Sequence, residues 1–554
     1  MHALEFDLGG HVVPEQINLR DYQHRAVDAV LNEFQESQST LLVLPTGCGK
    51  TVCFAEIIRR FGKRALVIAH RTELITQAVD KIHRTTGLRC EIEMADLRVM
   101  GFPDVVVSTV QTQTSGGDGL GRMGRFSPDD FGLVIIDEAH HAPAKAYRRM
   151  LDYYKQNPRL KILGVTATPD RADEKALGQI FDTVAFDYEI LDAIHDGWLV
   201  PIEQQVVSVA GLDYSSIRTT AGDLNGGDLA TVMEEESNLH AIAAPTIDIA
   251  GTRRTLVFAA SVRQAERLCE IFNRHKNGCA DFVCGTTPKE LRAKTIKRFE
   301  DGAIQYVVNV GVFTEGFDAP HTEIIVLARP TKSRSLYAQM IGRGTRPLPG
   351  IVDALPANYM RRHAIKKSDK PACLVVDFAG NAGRHKLVTT ADILGGNVDA
   401  ETIARARQVA EKTGKPIDMV QLLNQEAANI AAEKAAAAAR RAALVAKAQY
   451  STSAVSPFNV FDISPGPDRG WNDGKQISEK ELGILQKQGI KTDGLKYHEG
   501  KALIREIFRR WDAGLCSYKQ AAQLKKRGLD PNMTREQASA TMTEIAQREG
   551  WGKR

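Results

Sequence analysis

No apolar run in the 554-residue sequence approaches the length of a membrane span, and its start, MHALEFDLGG, lacks the basic stretch followed by an apolar one that marks a secretion leader. The expectation from these absences is a cytoplasmic chain with no membrane partner. Cysteine is scarce: eight residues are scattered with no C-x-x-C, and Cys279 and Cys284 form only a near-pair. That argues against a zinc module and against a disulfide framework. The acidic pair and lysine that a metal-dependent nuclease places on separate strands are missing too. The nearest approach, Asp468, Asp473 and Lys475 in GPDRGWNDGK, is too closely spaced and falls in a linker. Charge of one sign is also lacking, since the net charge is only +4. The balance is uneven, however: residues 471–554 hold 17 Lys and Arg against 11 Asp and Glu. A basic tail on a near-neutral body points to polyanion contact, and solvated helical faces have the same look.

What is present is a chain long enough for three or four domains. Two blocks alternate short β-branched runs with helix-length segments. The first, 15–205, carries TLLVLP, RALVIAH, DVVVST, LVIIDEAH and KILGVTAT; the second, 240–395, carries TLVFAAS, DFVCG, YVVNVGV, EIIVLAR and ACLVVDF. Runs of this kind form parallel sheets covered by helices on both faces, an α/β class. The Gly-rich, polar stretch AGLDYSSIRTTAGDLNGGDLATVMEEESN reads as an irregular crossing that turns helical at its end. Past the second block, NQEAANIAAEKAAAAARRAALVAKAQ favours a helix with little apolar bulk, a spacer rather than a core element. STSAVSPFNVFDISPGPDRG reads as a linker. In the tail, SEKELGILQKQGI at 478 aligns with SYKQAAQLKKRGL at 517, each followed by a helical stretch ending near tryptophan. This reads as two copies of a small helical hairpin, with chance similarity of Lys-rich helices as the alternative.

Chemistry enters at LLVLPTGCGKT, residues 41–51. A strand leading into Gly47 and Gly49 lets the chain turn sharply and aim backbone N–H groups at phosphate oxygens. Lys50 then sets a positive charge beside the outer phosphates, Thr51 offers a hydroxyl to Mg²⁺, and the following helix points its positive end at the anion. The full G-x-x-x-x-G-K-[ST] pattern is not met, because Leu44 stands at the first glycine position; alone, the motif also fits an ordinary strand-to-helix turn. LVIIDEAHHA places Asp137 and Glu138 at the carboxyl end of a buried strand, where α/β sheets bind ligands. Asp137 is the candidate Mg²⁺ holder and Glu138 the candidate base for the attacking water. In YAQMIGRGTRP, Gln339 is a candidate water positioner. Arg343 and Arg346, three apart, share one side of a helix and are candidate arginine fingers, with two solvated arginines as the bland alternative. His140 is read as coupling nucleotide to strand rather than binding metal, because His141 points away on an extended segment.

Together these stretches resemble the superfamily 2 helicases over residues 20–395. LRDYQ is similar to the adenine motif, with Gln23 reading the base; LPTGCGKT resembles the phosphate-loop motif in its superfamily form, with Thr46, Gly47, Cys48, Gly49, Lys50 and Thr51 around the phosphates. AHRTEL, VVVSTVQT, DEAH, TATP, TLVFAAS, NVGVFTEGFDAP and QMIGRGTR follow in the family's order. The resemblance implies that Thr166 and Thr168 tie hydrolysis to domain motion and that Gly316 and Asp318 sit by the nucleotide. It also implies that Arg71, Thr109 and Thr314 hold strand phosphates. AHRTEL, His140 and LRDYQ look more like the branch containing XPB, RadD and the motor subunits of type I and type III restriction enzymes than the DEAD-box RNA helicases.

What the resemblance implies is two tandem RecA-like parallel-sheet domains plus an α-helical C-terminal region. The division expected is 1–210 for the first RecA-like domain, 211–239 for the crossing, 240–397 for the second domain, 398–470 for the Ala-rich helix and linker, and 471–554 for the helical repeat. The expected activity is ATP hydrolysis with Mg²⁺, coupled to movement along nucleic acid, DNA rather than RNA. A DNA-dependent remodelling ATPase without strand separation, and an RNA helicase, remain alternatives. The tail is a candidate grip for DNA or a protein partner through Lys487, Lys525, Lys526 and Arg527.

Overall fold

The computed structural model describes residues 18–69, 72–116, 121–167, 176–220, 222–313, 319–382, 385–394, 398–445, 456–461, 463, 465, 470–472 and 474–548. They fall into two compact units, one running through Gly396 and including Ala400–Ala427, the other made of Asn397–Asp399 and Ala428 onward.

The first unit holds two lobes. In the first lobe the strands are β1 (Ser39–Val43), β2 (Ala65–Ala69), β3 (Cys90–Glu93), β4 (Val105–Thr109), β5 (Leu133–Asp137), β6 (Lys161–Thr166) and β7 (Thr183–Asp187). They pair in the order β3-β4-β2-β5-β6-β1-β7, each pairing parallel. β1, β2 and β4 are buried at every position, as strands covered by helices on both faces must be. One face carries Leu41, Leu66, Ile68, Val134, Ile136 and Ile162, packed with Met150 and Tyr154 of the helix Lys145–Tyr154 and with Phe181. β3 and β7, which the apolar runs did not reveal, are the two edges. Their burial is partial, so they need no continuous apolar run.

The second lobe begins earlier than the sequence implied. β8 runs Ile202–Asp213 and pairs in parallel with β15 (Cys373–Asn381), so residues 202–210, expected in the first domain, and the front of the expected crossing form a strand of the second sheet. Gln204 and Glu203 in its inner half hid it, because a pattern of buried and half-buried positions there is met by polar side chains. A short hairpin of β9 (Thr219–Thr220) and β10 (Asp223–Leu224) follows, then helices Gly226–Met233 and Glu236–Ala250. The remaining strands are β11 (Thr255–Ala259), β12 (Ala280–Val283), β13 (Tyr306–Asn309), β14 (Ile324–Ala328) and β16 (Ile417–Asp418). The order is β12-β13-β11-β14-β15-β8-β16, parallel except where β16 meets β8. These are two RecA-like parallel-sheet domains in tandem.

The second unit is helical. The Ala-rich stretch forms the helix Met419–Val445, which belongs to this unit from Ala428 onward, and the tail forms Glu479–Gln488, Tyr497–Asp512, Tyr518–Lys526 and Arg535–Arg548. The 39-residue offset is visible in three dimensions: Ser478 and Ser517 each cap a helix whose N3 residue, Glu481 or Gln520, bonds back. Leu485 and Leu524 are both fully buried in one shared core. The stretch read as a linker contributes to that core through Val460 and Phe461, and the guanidinium of Arg510, itself 2% exposed, lies 5.1 Å over the Phe461 ring. No helix among the described residues is long and apolar enough to cross a membrane.

Candidate nucleotide site

Between the two lobes of the first unit lies a cleft of about 1190 Å³, walled by the segment after β1, the residues leading into helix Asp21–Glu36, the end of β5, and residues 343–361 of the second lobe. The segment after β1 is shaped by its glycines. Gly47 has φ +92° and Gly49 φ +76°. A methyl on Gly49 would meet Gln23 Nε2 at 2.6 Å, so the position is closed to any side chain twice over. The helix Lys50–Phe61 starts at that turn, and its first amides, which have no partner inside the helix, open at the cleft end. Thr46, Gly47, Gly49, Lys50 and Thr51 line the cleft, while Cys48 is fully buried behind it.

Gln23 is 6% exposed and donates from Nε2 to the Cys48 carbonyl at 3.0 Å, while its Oε1 accepts from the Arg20 amide at 2.9 Å. Tyr22 donates to the same carbonyl at 2.8 Å and stacks on Tyr188 with centroids 4.8 Å apart. The motif LRDYQ thus fastens the phosphate loop with two side chains, of which the sequence singled out one.

Lys50 Nζ sits 2.8 Å from Glu138 Oε1. Burial would lower the lysine's pKa, but the charges of Glu138 and Asp137 and that hydrogen bond outweigh it, and the net shift is upward. Glu138 is held below the carboxylate range because Lys50 overcomes its burial, whereas Asp137 is pushed up to about 6 by burial and by the charge of Glu138. Glu138 adopts φ +50°, ψ +54°, a left-handed conformation rare for a side-chain-bearing residue and found where structure over-determines the backbone. Its Oε2 accepts no hydrogen bond and lies 3.5 Å from His140 Nδ1, which is itself 3.4 Å from Thr166 Oγ1. Residues 139–141 form a 3₁₀ turn rather than an extended segment, so His141 does not point away: the two imidazoles lie 4.1 Å apart.

From the second lobe come Arg343, 8% exposed, and the half-buried Arg346. The helix expected to carry both ends at Ile341, where Gly342 caps it, and the arginines project from the turns beyond. Both still line the cleft. The approach is close: a methyl on Gly342 would lie 2.7 Å from Thr46 Cβ, and one on Gly47 would lie 3.3 Å from Arg346 Cγ. Lys370, 1% exposed, donates to the Arg346 carbonyl at 2.7 Å and fixes that turn. Gln339 is buried in helix Arg334–Ile341 and is not part of the cleft wall.

Thr109 is 6% exposed, and its hydroxyl caps the short helix Val110–Thr114 by accepting from the Thr112 amide at 3.1 Å. Arg71, Thr168, Thr314, Gly316 and Asp318 lie outside the described residues, as do Asp468 and Asp473. Four residues that the sequence did not single out complete the cleft. The guanidinium groups of Arg20 and Arg361 lie over the Trp198 ring, 4.5 Å and 3.9 Å from its centroid, and Arg20 pairs with Asp353 at 2.7 Å. Arg20 lay in plain view in LRDYQ; nothing local marks Trp198, Asp353 or Arg361, which meet only because the lobes do.

The oxygen donors fit a magnesium ion. Thr51 and Asp137 face the cleft, and no group of three or more His, Cys, Asp or Glu that could hold a metal exists among the described residues. A cation here must draw most of its ligands from water and phosphate, which is the habit of magnesium.

Residues 16–171 match the family described as the res subunit of type III restriction enzymes, and residues 239–347 match the helicase conserved C-terminal domain. The chain is 33% identical over 348 residues to the Saccharomyces cerevisiae protein named "Putative ATP-dependent helicase IRC3", covering 59% of this chain and 49% of that one. It is 28% identical over 343 residues to the DNA 3'-5' helicase XPB of Mycobacterium tuberculosis, covering 59% and 58%. It is 26% identical over 362 residues to the type I restriction enzyme EcoAI endonuclease subunit of Escherichia coli, covering 59% and 44%. The chain spans about half the length of the curated relatives it matches. With both matched domains present in this order on two RecA-like sheets, the chain is similar to helicases and restriction-enzyme subunits of the IRC3, XPB and EcoAI kind.

Proposed function

We propose that the chain hydrolyses ATP in the inter-lobe cleft and uses the cycle to move along DNA. The observation that carries this reading is the meeting of Lys50 and Glu138 from one lobe with Arg343 and Arg346 from the other across a single cavity. In this reading the outer phosphates take Lys50 from Glu138, which leaves the Glu138 carboxylate to orient and deprotonate water. Arg343 and Arg346 approach the γ-phosphate from the far side and stabilise the charge that grows there. Thr51 and Asp137 would hold a magnesium ion, which would supply neutralisation of phosphate charge. Gln23 reads the base edge, with Thr46, Gly47, Cys48 and Gly49 cradling phosphates and Gly316 and Asp318 beside the nucleotide. His140, within reach of both Glu138 and Thr166, passes the state of the site to the segment that carries Thr168. Arg71 and Thr314 contact strand phosphates, and Thr109 positions the turn it caps for the same purpose. Contacts of this sort carry no sequence information, so movement is sequence-independent.

The names of the XPB and Rad25 relatives, DNA 3'-5' helicases, support DNA as the track and that direction of travel. All eight cysteines are buried free thiols, which suits a reducing compartment such as the cytoplasm. The test is ATPase rate across single-stranded, duplex, forked DNA and RNA, paired with strand displacement on the forks. Stimulation by DNA with displacement supports the helicase. Stimulation without displacement on any fork assigns a remodelling ATPase instead, and a strong preference for RNA overturns the DNA assignment.

A further inference from the structure

The helix Tyr497–Asp512 of the second unit is amphipathic, and one face is accounted for: Leu503, Ile504 and Ile507 are at most 4% exposed in the unit's core. The other face is not what folding requires. Phe508 is 42% and Trp511 39% exposed, one turn apart, with ring centroids 5.2 Å apart in an edge-to-face pair. Neither ring belongs to the core. Arg505 and Arg509, both exposed, lie a turn apart on the stripe that carries Phe508. The buried Glu506 holds Arg509 through two hydrogen bonds of 2.7 Å, which fixes its direction without covering it. The helix end is rigid, because Arg510 is buried and bonded to Asn532 Oδ1 at 2.6 Å and to the Pro531 carbonyl at 2.6 Å. The surrounding tail carries the chain's positive surplus, 17 basic against 11 acidic residues over 471–554.

We propose that this face is a stacking platform for single-stranded DNA, in which Phe508 and Trp511 take bases and Arg505 and Arg509 take the flanking phosphates. Bases stack on aromatic rings without regard to sequence, and cations beside the rings hold the backbone; this is the combination that sequence-independent strand binding uses. An acidic partner would use the charge but leave the two exposed rings without a role. The proposal rests on the reading of the chain as a DNA motor and gives it an anchor outside the motor lobes.

The probe is a fluorescein-labelled oligo(dT) of about 20 nucleotides, titrated with the full chain without nucleotide and followed by anisotropy. The double variant Phe508→Ala, Trp511→Ala is expected to bind it at least about tenfold more weakly. The variant Phe508→Tyr, Trp511→Phe, which keeps both rings, is expected to stay within about twofold, so a folding defect is told apart from lost stacking. Arg505→Ala is expected to lower the slope of log affinity against log salt by about 0.7, the value for one phosphate on a single strand. Affinity of the double alanine variant within about twofold of the parent overturns the proposal. So does the same result accompanied by a change in sedimentation, which makes the face a protein contact. ATPase activity at saturating DNA is expected to be unchanged by these substitutions. If the parent shows no DNA-stimulated ATPase, the motor reading fails by itself, and the titration still decides the platform.

Discussion

In the first lobe the chain leaves its first strand, β1, through Leu44–Gly49 and enters a helix at Lys50; in the second it leaves the corresponding strand, β8, through a polar hairpin. Yet the two sheets are wound alike. Within the sheets, from one edge, the strands come third, fourth, second, fifth, sixth and first in chain order in both lobes. The fifth strand, β5, ends in Asp137 and Glu138 in the first lobe, while its counterpart β14 runs into Arg329 and Pro330. Winding therefore fixes where a ligand can sit, at the carboxyl ends of the strands, and the short segments that follow fix what chemistry happens there. The second lobe contributes instead through Arg343 and Arg346, beyond a helix the first lobe does not use in this way. In the function proposed above, one lobe binds and activates, and the other supplies charge to the departing phosphate.

Removing charge from the second lobe is the sharpest way to test that division. Arg343→Ala is expected to lower kcat by about 10³–10⁵ with ATP affinity little changed, read from steady-state ATPase at saturating DNA and from nucleotide binding. Loss of affinity with kcat preserved would mean that both lobes bind and neither activates. In the first lobe, Glu138→Gln is expected to lower kcat by about 10²–10⁴ while sparing ATP binding, because Lys50 loses a competing partner and keeps its charge. Lys50→Ala is expected to lose turnover and affinity together. If the two first-lobe variants behave alike, the separation of binding from activation within that lobe is wrong.

A smaller effect tests the loop itself. Gly49→Ala demands a left-handed φ of +76° from a residue with a side chain and drives a methyl to 2.6 Å from Gln23 Nε2. A cost of about 1–3 kcal/mol in stability is expected, with ATP affinity reduced because the Gln23 contact to the Cys48 carbonyl must shift. Stability comparable to the parent's would show that the loop is looser than its hydrogen bonds imply.

The same contrast explains what could be read from the sequence. Nine of the ten apolar runs are interior strands, which with both faces covered must be apolar, and that is visible locally; the tenth is β12, a partly buried edge. The edge strands β3 and β7 are only partly buried, and β8 satisfies its polar buried position by a contact far along the chain, Gln204 to Asp377. None of that has a local signature. In the site, Gln23, Lys50, Asp137 and Glu138 were legible because each sits in a short motif at a strand end or helix start. Arg343 and Arg346 were legible as residues but not as geometry: the helix stops at Ile341 because Gly342 and Gly344 follow it closely and Pro347 comes after. Trp198, Asp353 and Arg361 were invisible, since they matter only through the packing of one lobe against the other, and Lys370 because it acts through backbone carbonyls distant in sequence, those of Pro320 and Arg346.

Two half-buried aspartates give the finest form of the comparison. Asp137 and Asp377 are both pushed up to about 6, Asp137 by burial and the neighbouring Glu138, Asp377 chiefly by burial. Asp137 faces the cleft; Asp377 does not line it and accepts from Tyr337 Oη at 2.6 Å and Gln204 Nε2 at 2.5 Å. Tyr337 belongs to the helix that leads to Arg343, and Gln204 to the strand that opens the second lobe. Between the ordinary aspartate value of 3.8 and about 6, folded Asp377 keeps a proton that the unfolded chain has lost, so stability falls as pH rises through that window and levels off above it. Asp377→Asn cannot ionise and keeps a carbonyl oxygen for both donors. Its stability relative to the parent is expected to grow from near zero at about pH 4 to about 3 kcal/mol above about pH 6, read from urea midpoints at several pH values. DNA-stimulated turnover should remain, because this carboxylate positions a helix and touches no phosphate. Were Asp377→Asn to abolish turnover while leaving the pH dependence of stability as in the parent, this carboxylate would be part of the working site, and the division of labour between the lobes would have to be redrawn.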